Sequence, residues 1–204
     1  MKGIVERTLG DAWARLPPVL RTHYGASNTM IGHMDIEFPS FMKPLLVVLH
    51  AMGALVDRAG GGVATVVERR ANGDHEIWRR TITYADGNAR HFDSVWVAEG
   101  ADQAIEYVNS WLGLQMAPRV EGRRLHIDGV RFVLKLGPAL LTVPEWLALG
   151  HTTIIEEALD EHHFAMDFRL THPLFGQLFR YSGQFEVVVG VPAGHRNDRP
   201  RPGG

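Results

Sequence analysis

The sequence predicts an α+β domain of mainly antiparallel strands, in which about eight or nine strands form a strongly curved sheet or a barrel. Most of the chain after residue 62 alternates apolar and polar residues with period two, which is typical of half-buried strands. Asn72-Gly73 and Asp86-Gly87 separate three of these stretches, and both pairs favour tight hairpin turns. So many strands in an open sheet would leave two unpaired edges, which closure into a barrel removes.

Two helical segments are expected near the N-terminus. Over residues 8–24 apolar residues recur at helical spacing, but Pro17-Pro18 interrupts the pattern because proline removes a hydrogen-bond donor. We therefore expect a short helix that ends near Leu16 and another that runs from the prolines to Gly25. A strand over residues 28–37 and the second helical segment, over residues 41–58, should follow.

The remaining strands are read from period-two alternation between turn residues. The predicted ranges are 63–70, 75–84, 89–98, 105–116, 124–136, 151–159, 162–171 and 177–189. Residues 137–149 form an apolar stretch with two prolines and are not expected to make a regular element. Residues 1–190 should be one barrel-like domain, and residues 191–204, rich in Pro, Gly and Arg, a disordered tail.

The composition excludes several classes of function. The chain has 204 residues, of which 45% are hydrophobic and 22% charged, so it can bury a substantial core. Its net charge of −2 provides no basic field for nucleic acid, which is not expected as a partner. The absence of cysteine excludes disulfides, thiolate ligands and cysteine nucleophiles, and it is compatible with the cytoplasmic location that we expect.

The motifs of metal, nucleotide and membrane-spanning proteins are also missing. The eleven histidines lack the spacing of a metal site, and neither a GxGxxG nor a Walker sequence occurs. We therefore expect no metal and no cofactor. The most apolar stretch, residues 45–56, is far shorter than the ~20 residues that cross a bilayer, so no membrane span is expected.

Period-two alternation also identifies the residues that should point into the barrel. On the strand over residues 75–84, Trp78, Arg80 and Ile82 share one face, and the next strand adds Ser94 and Trp96. Arg80 is thus the one guanidinium expected among large apolar side chains, where it is costly unless it is paired. It forms a structural ion pair with Glu106, Glu156, Glu157 or Asp167, or it binds an anionic ligand.

Other polar residues are expected to project toward the same apolar interior, where pKa shifts are largest. Each of them alone is compatible with a structural role. The candidate ligand-binding residues are Arg80, Trp78, Ser94, Trp96, His23, Tyr24, Glu106, Glu156 and Tyr181.

Several of these residues occur in an order that resembles a known family. The similarity covers roughly residues 13–187 and is carried by Leu16-Pro17-Pro18, His23, Trp78-x-Arg80, Phe92-x-Ser94, the stretch Thr171–Gly176 and Tyr181-x-Gly183-x-Phe185. With these motifs the chain resembles the bacterial domain-of-unknown-function 4166 family. The resemblance implies a domain without an assigned activity, which in some members follows a saccharopine-dehydrogenase-like reductase domain.

Three hypotheses about function follow. The first is a barrel that binds a small apolar or weakly acidic molecule. The second is a cofactor-independent isomerase, cyclase or hydrolase in the same pocket, with His23, Glu106, Glu156 or Tyr181 as its acid or base. The third is a docking module for a separate NAD(P)-dependent reductase, which predicts an exposed apolar patch.

Overall fold

A computed structural model of the chain describes residues 2–25 and 27–188, and the tail predicted over residues 191–204 lies outside them. Three α-helices precede most of the strands: α1 (Ile4–Leu9), α2 (Pro18–Gly25) and α3 (Lys43–Ala51). Short 3-10 helices cover Gly10–Arg15, Ser40–Met42 and Glu145–Leu147. Pro18 starts α2, where its missing N–H has no partner to lose.

Eleven strands make up the rest of the fold, and all of their pairings are antiparallel. In chain order they are β1 (Asn28–Glu37), β2 (Gly60–Asn72), β3 (His75–Thr83), β4 (Ala89–Glu99), β5 (Gln103–Tyr107), β6 (Leu112–Glu121), β7 (Arg124–Leu136), β8 (Ala139–Pro144), β9 (His151–Ala158), β10 (His163–His172) and β11 (Gly176–Val188).

Ten of these strands close into a barrel. Strands β1 to β7 pair in sequence, β7 pairs with β9, and β9, β10 and β11 lead back to β1. The long strand β7 divides its partners, since residues 124–128 pair with β9 and residues 131–136 pair with β8. The β7–β8 hairpin therefore extends beyond the barrel wall at one end.

Helices α1 and α2 cover one end of the barrel, which we call the closed end. Val19, Leu20, His23 and Tyr24 lie on one face of α2 and are buried there. The backbone N–H of Ile4, at the start of α1, donates to Glu76 Oε1 at 2.7 Å. This hydrogen bond fixes the helix to the start of β3. This end brings two of the candidate residues, His23 and Tyr24, over the barrel interior.

The opposite end, which we call the open end, carries α3, the segment after it and the β7–β8 hairpin. The Asn109 side chain, in the β5–β6 turn, donates to the backbone oxygen of Met52 at 2.9 Å. Arg58 pairs with Asp86 of the β3–β4 turn at 2.8 Å. These contacts hold the segment after α3 across part of the barrel mouth.

The expected α+β fold with mainly antiparallel strands in a barrel is confirmed, but the strand count of eight or nine was too low. Residues 105–116 contain parts of two strands, because the Asn109 side chain accepts the N–H groups of Trp111 and Leu112 and turns the chain. Residues 139–144, predicted to be irregular, pair with β7 at its solvent-exposed end.

The helical predictions were also revised in detail. The helical segment expected over residues 41–58 ends as α-helix at Ala51, because Gly53 adopts φ +79° and its N–H bonds back to His50. The short helix expected before Leu16 lies earlier, at Ile4–Leu9, and continues as a 3-10 helix.

The predicted inward face of the third strand is confirmed. Glu76, Trp78, Ile82 and Tyr84 are buried, and Arg80 is partly buried beside them. On β11, a Cβ added to Gly183 would lie 2.2 Å from the backbone oxygen of His33. Only glycine permits this close approach of β1 and β11.

Candidate functional site

The barrel encloses a cavity of about 60 Å³, which we call the inner cavity. Its wall is mostly aromatic and aliphatic, with a few polar groups. Eight of the nine candidate residues line it: His23, Tyr24, Trp78, Arg80, Trp96, Glu106, Glu156 and Tyr181. The ninth, Ser94, lies behind the wall and contacts two of the eight.

Arg80 and Glu106 form an ion pair in this wall. Arg80 Nη2 donates to Glu106 Oε1 at 3.0 Å, and Arg80 Nη1 donates to Ser94 Oγ at 2.9 Å. Ser94 Oγ donates in turn to Glu106 Oε1 at 2.6 Å. The guanidinium carbon lies 4.6 Å from the ring centre of Phe92, a cation–π contact. The strand registers bring Arg80, Ser94 and Glu106 together. Ser94 pairs with Trp78, two positions before Arg80 on β3, and Glu106 pairs with Trp96, two positions after Ser94 on β4.

Of the four carboxylates considered for Arg80, Glu106 is therefore its partner. Glu157 and Asp167 have partners elsewhere: Glu157 pairs with Arg124 at 2.8 Å, and Asp167 with Arg180 at 2.9 Å. Glu156 lies in a second polar cluster of the inner cavity.

This second cluster joins Glu156 with the two residues from α2. The hydroxyl of Tyr24 donates to Glu156 Oε1 at 3.0 Å, and His23 Nε2 lies 3.5 Å from the same oxygen. Burial and the nearby Glu156 carboxylate raise the pKa of Tyr24 well above its usual value, so its phenol stays protonated as a donor. Two titratable groups thus converge on one buried oxygen of a third, Glu156.

Several polar atoms around the inner cavity have no hydrogen-bond partner among the residues that the structure describes. They are Glu156 Oε2, His23 Nδ1 and the indole nitrogens of Trp78 and Trp96. The two indole rings lie 5.3 Å apart. A buried polar atom without a partner costs free energy, so a ligand that supplies partners here is stabilised.

A larger cavity of about 260 Å³, which we call the outer cavity, lies at the open end. Its lining is almost entirely apolar and comes from α3, the segment after it and strands β4 to β11. The two cavities share four lining residues, Leu55, Phe92, Glu106 and Tyr181. They are therefore neighbours along the barrel axis.

Tyr181 stands at the boundary between the two cavities. Its ring stacks on that of Phe168, with centres 4.4 Å apart and planes 5° from parallel. Burial raises the pKa of Tyr181, so its hydroxyl remains neutral over the physiological range. The residue presents a neutral hydroxyl at this boundary, which Leu55, Phe92 and Glu106 also line.

Sequence reasoning missed a second inward guanidinium, and Arg80 is not the one arginine inside. Arg69 is fully buried and forms a bidentate pair with Glu76, with Arg69 Nε 2.9 Å from Glu76 Oε2 and Arg69 Nη2 2.5 Å from Glu76 Oε1. Period two could have found it, since Val63, Thr65 and Val67 precede it on the inward face of β2.

Among residues 2–25 and 27–188, no group of three or more His, Asp or Glu side chains is arranged to hold a metal ion. In the same ranges, no helix has the length and apolar character needed to span a membrane.

Comparison with known families bears on the whole barrel. A family model described as "Domain of unknown function (DUF4166)" matches residues 16–185, which run from just before α2 to β11 and include all nine candidate residues. No curated protein matches the sequence. Because the match covers most of the chain, we conclude that the chain belongs to the DUF4166 family of domains of unknown function.

Proposed function

We propose that the barrel binds a small, largely apolar molecule, with a polar end in the inner cavity and an apolar body toward the open end. The observation that carries the proposal is the group of buried polar atoms without partners around the inner cavity. Ligand pockets combine apolar walls with a few convergent polar groups in this way. The apolar outer cavity next to it provides space for the rest of the molecule.

The charges around the inner cavity favour a neutral polar end, such as a hydroxyl or a carbonyl. Glu106 already compensates the positive charge of Arg80. Glu156 adds a carboxylate, and its Oε2 can accept a hydrogen bond from a ligand. The indole N–H groups of Trp78 and Trp96 can donate to a ligand oxygen. A ligand carboxylate would instead meet the negative charge of Glu156.

The experiment compares octan-1-ol with octanoate by isothermal titration calorimetry. We expect octan-1-ol to bind more tightly than octanoate, and Glu156→Gln to weaken octan-1-ol binding by about tenfold, since a charge-assisted hydrogen bond becomes a neutral one. Glu157→Gln is the matched control, because this neighbouring residue on β9 pairs with Arg124 on the outside. Native mass spectrometry of freshly purified protein provides an independent test through any retained molecule.

The outcomes separate the alternatives. Tighter binding of octanoate, lost in Arg80→Met, would mean that Arg80 binds an acid and would overturn the neutral-end proposal. No binding of either probe, with no retained molecule, would overturn ligand binding itself.

A second candidate function is supported by the convergence of Tyr24, His23 and Glu156. We infer that Glu156 acts as a general base for a C–H proton next to a carbonyl. The inference is supported by its burial, by the hydrogen bond from Tyr24 to one oxygen and by the lack of a partner for the other oxygen in the described part of the chain. In this reaction the proton moves from carbon to Glu156 and the carbonyl oxygen becomes an enolate oxygen. Glu156 then returns the proton to a different carbon of the conjugated system, or to the opposite face of the same carbon, and the carbonyl is restored. Such an isomerase needs no cofactor.

This candidate is tested with cyclohexanone in D2O. Exchange of its α-hydrogens, followed by NMR, should be faster with the protein than in buffer and should fall to the buffer rate in Glu156→Gln. Glu157→Gln should keep the full rate. If cyclohexanone binds but does not exchange, the protein binds ligands without this chemistry.

A further inference from the structure

The surface around the open end is unusually apolar, and ligand binding inside the barrel does not account for it. Fifteen large hydrophobic residues are exposed in the described part of the chain, and twelve of them lie at this end. The other three are elsewhere: Ile31 and Val66 on the outer wall, and Leu159 in the β9–β10 turn at the closed end. Single exposed apolar residues are ordinary, whereas a cluster at one end marks an interaction surface.

Three segments form this surface, which we call the apolar rim. The first is the outer side of residues 40–51, where Phe41 and Val48 are exposed while Leu46 and Leu49 are buried beneath them. The rim thus begins on α3, which is apolar on both sides: Leu46 and Leu49 are buried, while Leu45, Val47 and Val48 are exposed.

The second segment is the end of the β7–β8 hairpin with the 3-10 helix that follows it, and the third is the β10–β11 turn. Residues 135–147 present Leu140, Leu141, Trp146 and Leu147. Residues 172–176, in the β10–β11 turn, present Leu174 and Phe175, and the ring of Phe175 lies 6.4 Å from that of Phe41. The segments therefore meet around the mouth of the outer cavity.

We propose that the apolar rim docks on the surface of a lipid bilayer with anionic headgroups. Within the three segments the exposed charged residues are Lys135 and Lys43, of which Lys43 pairs with Asp57, outside the rim, at 3.4 Å. The only carboxylate of the segments, that of Glu145, is buried and pairs with His151. The rim therefore combines exposed apolar side chains and the cation of Lys135 with no exposed carboxylate in its three segments, which matches the boundary between acyl chains and anionic headgroups. Tryptophans such as Trp146 are favoured at this depth.

The position of the rim favours a bilayer over a protein partner. The rim surrounds the mouth of the outer cavity, whose lining is apolar. A protein seated on the rim would seal this mouth, whereas a bilayer is itself a source of apolar molecules. The docked rim would then lead such a molecule from the bilayer into the outer cavity.

The test is co-sedimentation of the full chain with vesicles of phosphatidylcholine mixed with phosphatidylglycerol. We expect binding to these vesicles, weaker binding to pure phosphatidylcholine, and quenching of tryptophan fluorescence by brominated phosphatidylcholine. The double variant Trp146→Ser, Leu147→Ser should bind at least about tenfold more weakly, and so should Leu174→Ser with Phe175→Ser, since each loses two large apolar contacts.

The matched control is Leu159→Ser, which removes an exposed leucine from the closed end and should leave vesicle binding unchanged. Because all of these side chains are exposed, urea unfolding should be similar for every variant. Absence of vesicle binding, or equal loss in Leu159→Ser, would overturn the proposal. So would a dimer or a stable complex with a reductase that the rim variants disrupt, because the rim would then be a protein interface. None of these outcomes depends on octan-1-ol binding.

Discussion

The barrel interior contains two arginine–glutamate pairs of the same chemistry in different surroundings. Arg69–Glu76 lies at the closed end, with side chains 0% and 3% exposed, whereas Arg80–Glu106 lines the inner cavity, with side chains 14% and 11% exposed. The indole of Trp78 lies between them, 5.5 Å from the first guanidinium carbon and 5.4 Å from the second. One aromatic ring thus separates a sealed pair from one beside open space.

The sealed pair also makes more hydrogen bonds to the rest of the fold than the pair beside the cavity. Arg69 makes two bonds to Glu76 and also donates to the backbone oxygens of His23 and Tyr24 at 3.3 and 2.8 Å, at the C-terminal end of α2. Glu76 accepts from the start of α1 as well. The sealed pair therefore fastens both N-terminal helices to the barrel, whereas the pair beside the cavity is braced by one serine. We infer that the first pair serves stability and the second shapes the cavity.

The largest expected effect comes from Arg69→Met. Removal of this guanidinium leaves the Glu76 carboxylate buried and takes the donor from two helix carbonyls, so the free energy of unfolding should fall by about 3–5 kcal/mol. Urea denaturation followed by circular dichroism measures the change.

The control for this variant is Arg70→Met, at the next position on β2. Arg70 faces outward and lies 3.7 Å from Glu68 in an exposed pair, so its loss should change stability by less than about 1 kcal/mol. Equal effects for Arg69 and Arg70 would contradict the role given to the sealed pair.

Arg80→Met should have a smaller effect, about 1–3 kcal/mol. Glu106 loses its cation, but it keeps the hydrogen bond from Ser94, and the inner cavity has room for water around the carboxylate. Arg79→Met, on the exposed face of the same strand, is the control and should leave stability nearly unchanged. A loss as large as that of Arg69→Met would mean that the two pairs serve the fold equally.

Of the two inward arginines, the sequence indicated Arg80 but not Arg69. Alternation on β3 placed Arg80 inside, because Trp78 and Ile82 on either side of it are unmistakably apolar. The same rule applies to Arg69, but it is followed by Arg70 and lies near the end of its strand, where an exposed charge is the ordinary expectation. Because Arg69 does not have a large apolar residue at both neighbouring positions of its face, the alternation did not predict that it is buried.

The partners of these residues could not be predicted from local pattern. That Arg80 meets Glu106 depends on the registers of β3 with β4 and of β4 with β5, which bring together residues 26 positions apart. The pairing of Tyr24 with Glu156 spans 132 positions and depends on barrel closure and on the docking of α2. The period-two pattern assigns faces, whereas long-range contacts depend on strand order, which the sequence alone left open.

Ser94→Ala is expected to have a modest effect, about 0.5–1.5 kcal/mol. The hydroxyl accepts from Arg80 and donates to Glu106, and both partners keep their direct contact when it is lost. Urea denaturation of Ser94→Ala and Arg80→Met, alone and together, measures the coupling between the two residues. Strict additivity would show that Ser94 does not brace the pair.

The smallest effect at neutral pH is expected for Tyr181→Phe, and it should appear only in alkali. Tyr181 lies beside the Arg80–Glu106 pair, and burial raises the pKa of its phenol above the value of 10.0 that holds in the unfolded chain. Below pH 10 both states keep the proton and the residue gives no pH dependence. Above pH 10 the unfolded state releases the proton first, so the stability is lost as pH rises toward the raised pKa of the folded state.

Tyr181→Phe should therefore flatten the fall of unfolding free energy above about pH 10, and urea denaturation along a pH series measures the slope. Tyr107→Phe is the control. Burial also raises the pKa of Tyr107, but this tyrosine is more exposed, so the change in slope should be smaller. If Tyr181→Phe leaves the alkaline slope unchanged, the phenol ionises freely in the folded protein. The boundary between the two cavities would then be open to water, unlike the sealed surroundings of Arg69.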